Sequence, residues 1–277
     1  MSIIILSGDT YSHYQEIAAA VAQNLNYTLI GPEVLANAAQ QYKVPEKKLL
    51  KALEGSSSIL GLSPVIKERY LAYFTASFME RLQKGKMVYH GRVGHLFVKG
   101  VTHVLKARLV DDFETRVRKV ITQEGLTEKK ARKLLLAEEK RIKRWISATF
   151  NVDEADSDLF DVTITLSDTT VDQSVALLVK TVQDVKFQPM TYSLKCMQDR
   201  YLASQIRALF IESQPSINVG ARDGNVSLRA TVPNKSEKEK LESALYEKVR
   251  AMQGVNSVEV NVLIDTIQSG KVLGSHR

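Results

Sequence analysis

The sequence predicts an α/β protein: a parallel five-stranded sheet flanked by helices, followed by a small α+β unit of αββαβ order. Three observations carry this. Short apolar runs alternate with helix-periodic segments across residues 1–183. The first run, Ile3-Ile4-Ile5-Leu6, passes through the loop Ser7–Gln15 into a helical pattern. After residue 193 the strands instead alternate apolar and polar residues, and two of them flank Asp223-Gly224. Strands separated by helices imply a parallel sheet with right-handed crossovers. Two alternating strands across Asp-Gly imply a hairpin.

Each element has its own signal. Glu16–Leu25 places Ile17, Val21 and Leu25 four residues apart, one stripe of a helix. Tyr27–Ile30 is a short strand stopped by Gly31-Pro32. Glu33–Tyr42 and Glu46–Leu53 are helical, with Pro45 suited to a first turn. Residues 54–63 are rich in Gly and Ser and read as a loop. Ile66–Leu82 is a longer helix ended by Lys84-Gly85. Met87–Tyr89 and Val104–Val110 are buried strands. Asp112–Gln123 is a helix, and Thr127–Phe150 a long basic segment. Val162–Leu166 is the fifth strand and Thr170–Gln183 the last helix of this region. Residues 184–193 contain Pro189 and little periodicity, as a linker would. Leu194–Ser213 is helical, Ile217–Arg222 and Val226–Val232 form the hairpin, and Lys235–Met252 is a charged helix with Ser236 as N-cap and Glu239 three residues on. Val255–Ile264 is the last strand. The domains expected are therefore 1–183 and 194–267, with a flexible tail over 268–277.

Composition narrows the function classes. The chain of 277 residues is 44% hydrophobic and 25% charged, as in a soluble globular protein with a real core. No stretch is long enough to span a bilayer, and the N-terminus lacks a basic n-region and cleavage site, so a cytoplasmic location is expected. Cys196 is the only cysteine, which excludes an internal disulfide or a cysteine-rich metal site. Arg116–Arg144 holds eleven Lys/Arg against four acids, a local excess equal to the net charge of the whole chain, +7. Such an excess attracts polyanions; a solvated face of two helices gives the same count. Nucleic acid is not the expected partner, because few aromatics interleave with these charges.

A strand, a short loop and a helix form the setting of a phosphate-binding loop, and such sheets bind ligands at the carboxyl ends of their strands. Counting from Gly8, a working loop carries Gly-Lys-Ser/Thr where this chain has His13, Tyr14 and Gln15. Tyr11 and His13 hold glycine positions. Their side chains are expected to enter space that phosphates need, and both resist positive φ. Gly8, Asp9, Thr10, Ser12, His13 and Gln15 are the candidate nucleotide-binding residues of this degenerate loop. Ser12, Thr10 and the helix N-terminus remain as a weak anion site. His90 and His95 are five apart with no third ligand in view, and Asp153, Asp156 and Asp158 lack the glycine and glutamate of a calcium loop, so no metal site is expected. Trp145 reads as a packing residue.

Residues 1–183 resemble the cytidylate kinase-like family of P-loop nucleoside monophosphate kinases. The likeness rests on Glu16-Ile17-Ala18 with Leu25, on Val88-Tyr89-His90-Gly91-Arg92-Val93-Gly94-His95, and on Arg108-Leu109-Val110 through Arg116. Lys140-Arg141 with Trp145, and Asp158-Leu159-Phe160-Asp161-Val162, add to it. The resemblance implies transfer of a phosphoryl group from ATP with Mg²⁺ to a nucleotide such as CMP, through positioning and positive charge. Arg92 and Arg116 match family arginines. The lid position for another arginine holds Ile142, flanked by Arg141 and Arg144. These four are the candidate phosphate contacts; ordinary surface ion pairing is the alternative for each.

The C-terminal unit resembles a BON domain at Ile206–Leu209, at Asp223-Gly224 with Val226–Ala230, and at Gly254-Val255-Asn256-Ser257-Val258. That resemblance implies a phospholipid- or protein-binding module and no catalysis. The expected function is nucleotide binding by a kinase-like protein that is weak or inactive as a kinase. The alternatives are an active (d)CMP kinase, and a lipid- or protein-binding module whose kinase half is scaffold. The sequence leaves oligomeric state open.

Overall fold

The computed structural model describes residues 2–54 and 62–265. The first region runs β1 (Ile3–Gly8), α1 (Tyr14–Leu25), β2 (Thr28–Ile30), α2 (Glu33–Gln41), α3 (Glu46–Glu54), α4 (Pro64–Leu82), β3 (Met87–His90), α5 (Gly94–Phe97), β4 (Val104–Val110), α6 (Phe113–Glu124), α7 (Glu128–Phe150), β5 (Val162–Thr165) and α8 (Val171–Val182). The second runs α9 (Thr191–Phe210), β6 (Asn218–Arg222), β7 (Asn225–Val232), α10 (Lys235–Arg250) and β8 (Ser257–Ile264). Most of the Gly/Ser-rich loop and the C-terminal tail read from the sequence lie outside the described residues.

Strands β1 to β5 form one parallel sheet in the order β2-β3-β1-β4-β5. Its central strand explains the unbroken apolar run at the N-terminus. Ile3 and Ile5 face one core with Tyr89, Phe78 and Trp145, while Ile4 and Leu6 face another with Ile17, Val88 and Leu178. A strand buried on both faces has no polar alternation to show. Helix caps match local sequence. Asp112 Oδ1 accepts from Thr115 N at 2.8 Å, and Thr170 and Gln173 cap α8 reciprocally.

The three-stranded sheet has the order β6-β7-β8, with β6 and β7 antiparallel and β7 and β8 parallel. Ile206, Phe210, Leu228, Leu245 and Val262 form its core. Two details differ from the sequence expectation. The N-cap of α10 is Asn234, whose Oδ1 accepts from Glu237 N at 2.9 Å, rather than Ser236. The stretch 184–193 is folded down: Val185–Phe187 makes a 3-10 turn, Phe187 is buried beneath the first sheet, and Ser2 Oγ donates to its carbonyl at 2.7 Å. The following helix starts at Thr191, three residues before Leu194. That helix also packs on the first region. Met197, Ala208 and Ile211 join its core, and Tyr73 Oη donates to Glu212 Oε1 at 2.8 Å.

Candidate functional site

The loop after β1 sits at the carboxyl edge of the parallel sheet, beside the end of β4. Ser12 N donates to Asp9 C=O at 3.2 Å, so residues 9–12 form a turn with Tyr11 in its third position. Tyr11 has φ 61° there. This left-handed conformation is free to glycine and costs a ring-bearing residue about 1–2 kcal/mol. The ring gains packing that offsets the strain. It turns out of the loop onto the Val117, Val120 and Leu135 cluster of α6 and α7, and its hydroxyl donates to Glu124 Oε1 at 3.1 Å. At Tyr11 the structure thus differs from the expectation that the side chain enters the phosphate space: the backbone keeps a glycine-like shape and the ring lies elsewhere. His13 has φ −86°, so that position needs no glycine, and its Nδ1 stands 3.2 Å from Asp111 Oδ2. Tyr14 is the residue that closes on the loop. A Cβ added to Gly8 would lie 2.6 Å from Tyr14 Cβ and Cγ, so this close approach requires glycine at position 8.

Arg116 braces this loop against the basic helices. It is 4% exposed. Its Nε donates to Thr10 C=O at 3.0 Å, its Nη2 to Glu139 Oε1 at 2.7 Å, and its Nη1 lies 3.6 Å from Asp9 Oδ2. The guanidinium fork is occupied by protein groups, with a carboxylate on either side. Thr10 Oγ1 and Ser12 Oγ are buried without a hydrogen-bond partner among the described residues.

Beside the loop lies a cavity of about 300 Å³. The end of β3 and the residues after it, Tyr89 to Val93, form one side. Leu35, Leu50, Leu53 and Phe74 come from α2 to α4. Glu138, Arg141, Ile142 and Trp145 come from α7, at helical spacing i, i+3, i+4, i+7, so one helix face supplies all four. Thr10, Tyr14 and Gln15 close the loop side. Burial lowers the pKa of Arg92, opposed chiefly by Glu154, and burial raises that of Glu154, opposed by Arg92 and Arg108. Arg92 remains a cation, half-buried in the cavity wall. Glu138 Oε2 is buried with no partner among the described residues, while Glu138 Oε1 lies 3.9 Å from Arg141. Burial also lowers the pKa of His90, whose ring packs on Gly31 at the cavity rim.

The candidate residues thus divide. Thr10, Gln15, Arg92 and Arg141 border the cavity. Gly8, Asp9, Ser12, His13 and Arg116 belong to the loop and its brace. Arg144 borders a different groove, between α4 and α7. Sequence reasoning missed Glu138 and the carboxylate brace, and it read Trp145, a cavity wall, as packing alone. The α7 stripe was a signal for the first; nothing local links Asp9 and Glu139 to Arg116. His95, the other histidine weighed as a ligand, is buried beneath the loop with Nδ1 3.0 Å from Ser7 Oγ. Burial, with Lys106 and Arg108 adding, holds its pKa down at about 3, so it is neutral.

The model of the cytidylate kinase-like family matches residues 3–168. The chain belongs to the cytidylate kinase-like family. Among solved structures, it is similar to an uncharacterised protein from Eubacterium ventriosum, at 18% identity and TM-score 0.51, covering 66% of this chain and 99% of that one. A shikimate kinase from Bacteroides thetaiotaomicron matches at 11% identity and TM-score 0.42, covering 66% and 99%. A thymidylate kinase from Candida albicans matches at 14% identity and TM-score 0.41, covering 66% and 91%. Among curated proteins, none matches this chain. The family match ends at residue 168 and so covers the five-stranded sheet, the loop and the cavity. No helix among the described residues is long and apolar enough to cross a membrane.

Proposed function

We propose that this cytidylate kinase-like protein binds a nucleotide of the CMP class in the cavity and transfers phosphate weakly or not at all. One observation carries the reading: the arginine nearest the loop is already neutralised by Asp9 and Glu139, while the cavity beside it keeps Arg92 and an open volume. Phosphoryl transfer needs uncommitted positive charge around the moving group. The residues present do not fit ATP with Mg²⁺. Tyr14 stands at the lysine position and lies on Gly8, Gln15 stands at the hydroxyl position, and Asp9 adds negative charge. The cavity is better suited to a monophosphate. Its aromatic and aliphatic walls suit a base, Arg92 a phosphate, and the bare Glu138 oxygen a donor such as a hydroxyl or an amino group.

Thermal-shift titration with CMP, CDP and ATP tests this, because a ligand held only by the folded state raises its stability. CMP is expected to stabilise and ATP to do so far less. No stabilisation by any nucleotide removes the reading. Turnover of CMP and ATP at millimolar concentration would instead support an active (d)CMP kinase, which the unpartnered Thr10 and Ser12 hydroxyls favour. Placing glycine at Tyr11 and His13 with lysine at Tyr14 would then raise the rate.

We also propose that residues 1–183 and 194–267 are separate domains and that the second is a BON domain, whose ligand is a phospholipid or a protein. Its order α9-β6-β7-α10-β8 and its own core support this. Co-sedimentation of the full chain with anionic liposomes tests the lipid arm; a chain that stays in the supernatant excludes it.

A further inference from the structure

A groove of about 1020 Å³ runs between α4 and α7 and reaches Arg207 of α9. Five cations and two carboxylates line it. Each carboxylate offsets one cation: Glu68 lies 3.4 Å from Arg207, and Glu138 Oε1 lies 3.9 Å from Arg141 while its Oε2 stays without a partner among the described residues. Lys67, Lys140 and Arg144 have no carboxylate within ion-pair distance among the described residues. Lys140 and Arg144 are one turn apart on α7, and Lys67 faces them from the first turn of α4. That helix has 19 residues and begins at Pro64 on the groove, so the positive end of its dipole adds to the same field. Concentration of one sign of charge in a concave, partly apolar channel focuses the field on an anion.

We propose that this groove binds a linear polyphosphate. The floor favours a bare phosphate chain over a nucleobase or single-stranded nucleic acid. Ala52, Ala137 and Ala148 supply small side chains, and the one aromatic on the wall, Trp145, is 8% exposed and faces Phe150. Binding of single strands needs exposed rings on which bases stack. A chain of phosphates needs only a row of cations with room between them. The groove shares Glu138, Arg141 and Trp145 with the nucleotide cavity, but its other cations, Lys67, Lys140, Arg144 and Arg207, do not border that cavity. It stands whether or not the nucleotide reading holds.

Inorganic tripolyphosphate is the probe, titrated calorimetrically into the full chain at fixed ionic strength. One molecule should bind per chain. The variant with Lys67→Ala, Lys140→Ala and Arg144→Ala should bind about tenfold or more weakly, as loss of three charge-assisted contacts requires. A control with Lys129→Ala, Lys130→Ala and Lys133→Ala removes the same charge from exposed positions of α7 that lie off the groove. It should bind as the parent does. Unchanged melting of both variants shows that folding is intact. ATP run in parallel tells the source: equal weakening of ATP by the groove variant identifies a nucleotide's phosphate chain, and weakening of tripolyphosphate alone identifies a free polyphosphate. No binding, equal losses in both variants, or no loss in the groove variant would each overturn the proposal.

Discussion

The loop after β1 and the cavity beside it lie at the same edge of the sheet, yet their polar groups are arranged in opposite ways. In the loop, Arg116 is enclosed by Asp9, Glu139 and the Thr10 carbonyl, so its charge is cancelled from within. In the cavity, Arg92 and Glu138 keep unfilled capacity around about 300 Å³ of space. The difference teaches that space and free charge are separate requirements on a phosphate site, and that one can be met without the other. The rings of Tyr11 and His13 turn aside from the loop, and the carboxylates of Asp9 and Glu139 occupy the Arg116 guanidinium.

The largest test of this contrast removes the brace. Arg116→Ala leaves Asp9 facing Glu139 with no countercharge and empties a buried site, at about 3 kcal/mol of stability. Urea denaturation reads the loss. Asp9→Asn with Glu139→Gln frees the same arginine instead, and phosphate should then stabilise the variant more than it does the parent. If phosphate acts on both alike, the brace does not limit anion binding at the loop.

A second test sharpens the cavity side. CMP at about a hundred times its dissociation constant should stabilise the chain by about 2.7 kcal/mol. Trp145→Ala opens the α7 wall and should abolish most of that gain at the same concentration. An equal gain in both would move the nucleotide out of the cavity.

How far these two regions were legible differs for the same reason. Strands β1 to β5 could be read because burial on both faces writes itself into adjacent residues such as Ile3 to Leu6. The cavity wall on α7 was also written locally, as the spacing of Glu138, Arg141, Ile142 and Trp145. The brace was not, since Asp9, Arg116 and Glu139 meet only after the chain has folded. Tyr11 was misjudged because its positive φ is sustained by α6 and α7 rather than by its neighbours. Asn234, not Ser236, caps α10 because the helix begins at Lys235, earlier than the Ser236 cap requires.

Beneath the loop, His95 offers a pH test. Its folded pKa of about 3 lies below the ordinary value of 6.5. The unfolded chain therefore takes up a proton that the folded one refuses. The stability is fully present above pH 6.5 and falls as pH drops toward 3, by up to about 1.4 kcal/mol per pH unit. His95→Gln should flatten urea midpoints across that window relative to the parent. Burial lowers the pKa of His90 and His103 as well, so a residual slope is expected.

The smallest effect tests whether the second sheet stiffens the cavity side rather than the loop side. Tyr42 of the α2 end stacks on Tyr73 of α4 with ring centres 4.2 Å apart, and Tyr73 donates to Glu212 beyond α9. Burial and Glu212 both raise the Tyr73 pKa, so the phenol stays protonated and donates throughout the neutral range. Tyr73→Phe keeps the stack and deletes one hydrogen bond, for about 1 kcal/mol. Since α2 and α4 also contribute Leu35 and Phe74 to the cavity, CMP affinity should fall with stability in this variant. Phosphate response in the Asp9→Asn, Glu139→Gln background should not move, because the brace touches neither helix. A shift in the phosphate response, with CMP binding unchanged, would mean that the two regions are coupled in the reverse sense from the one drawn here.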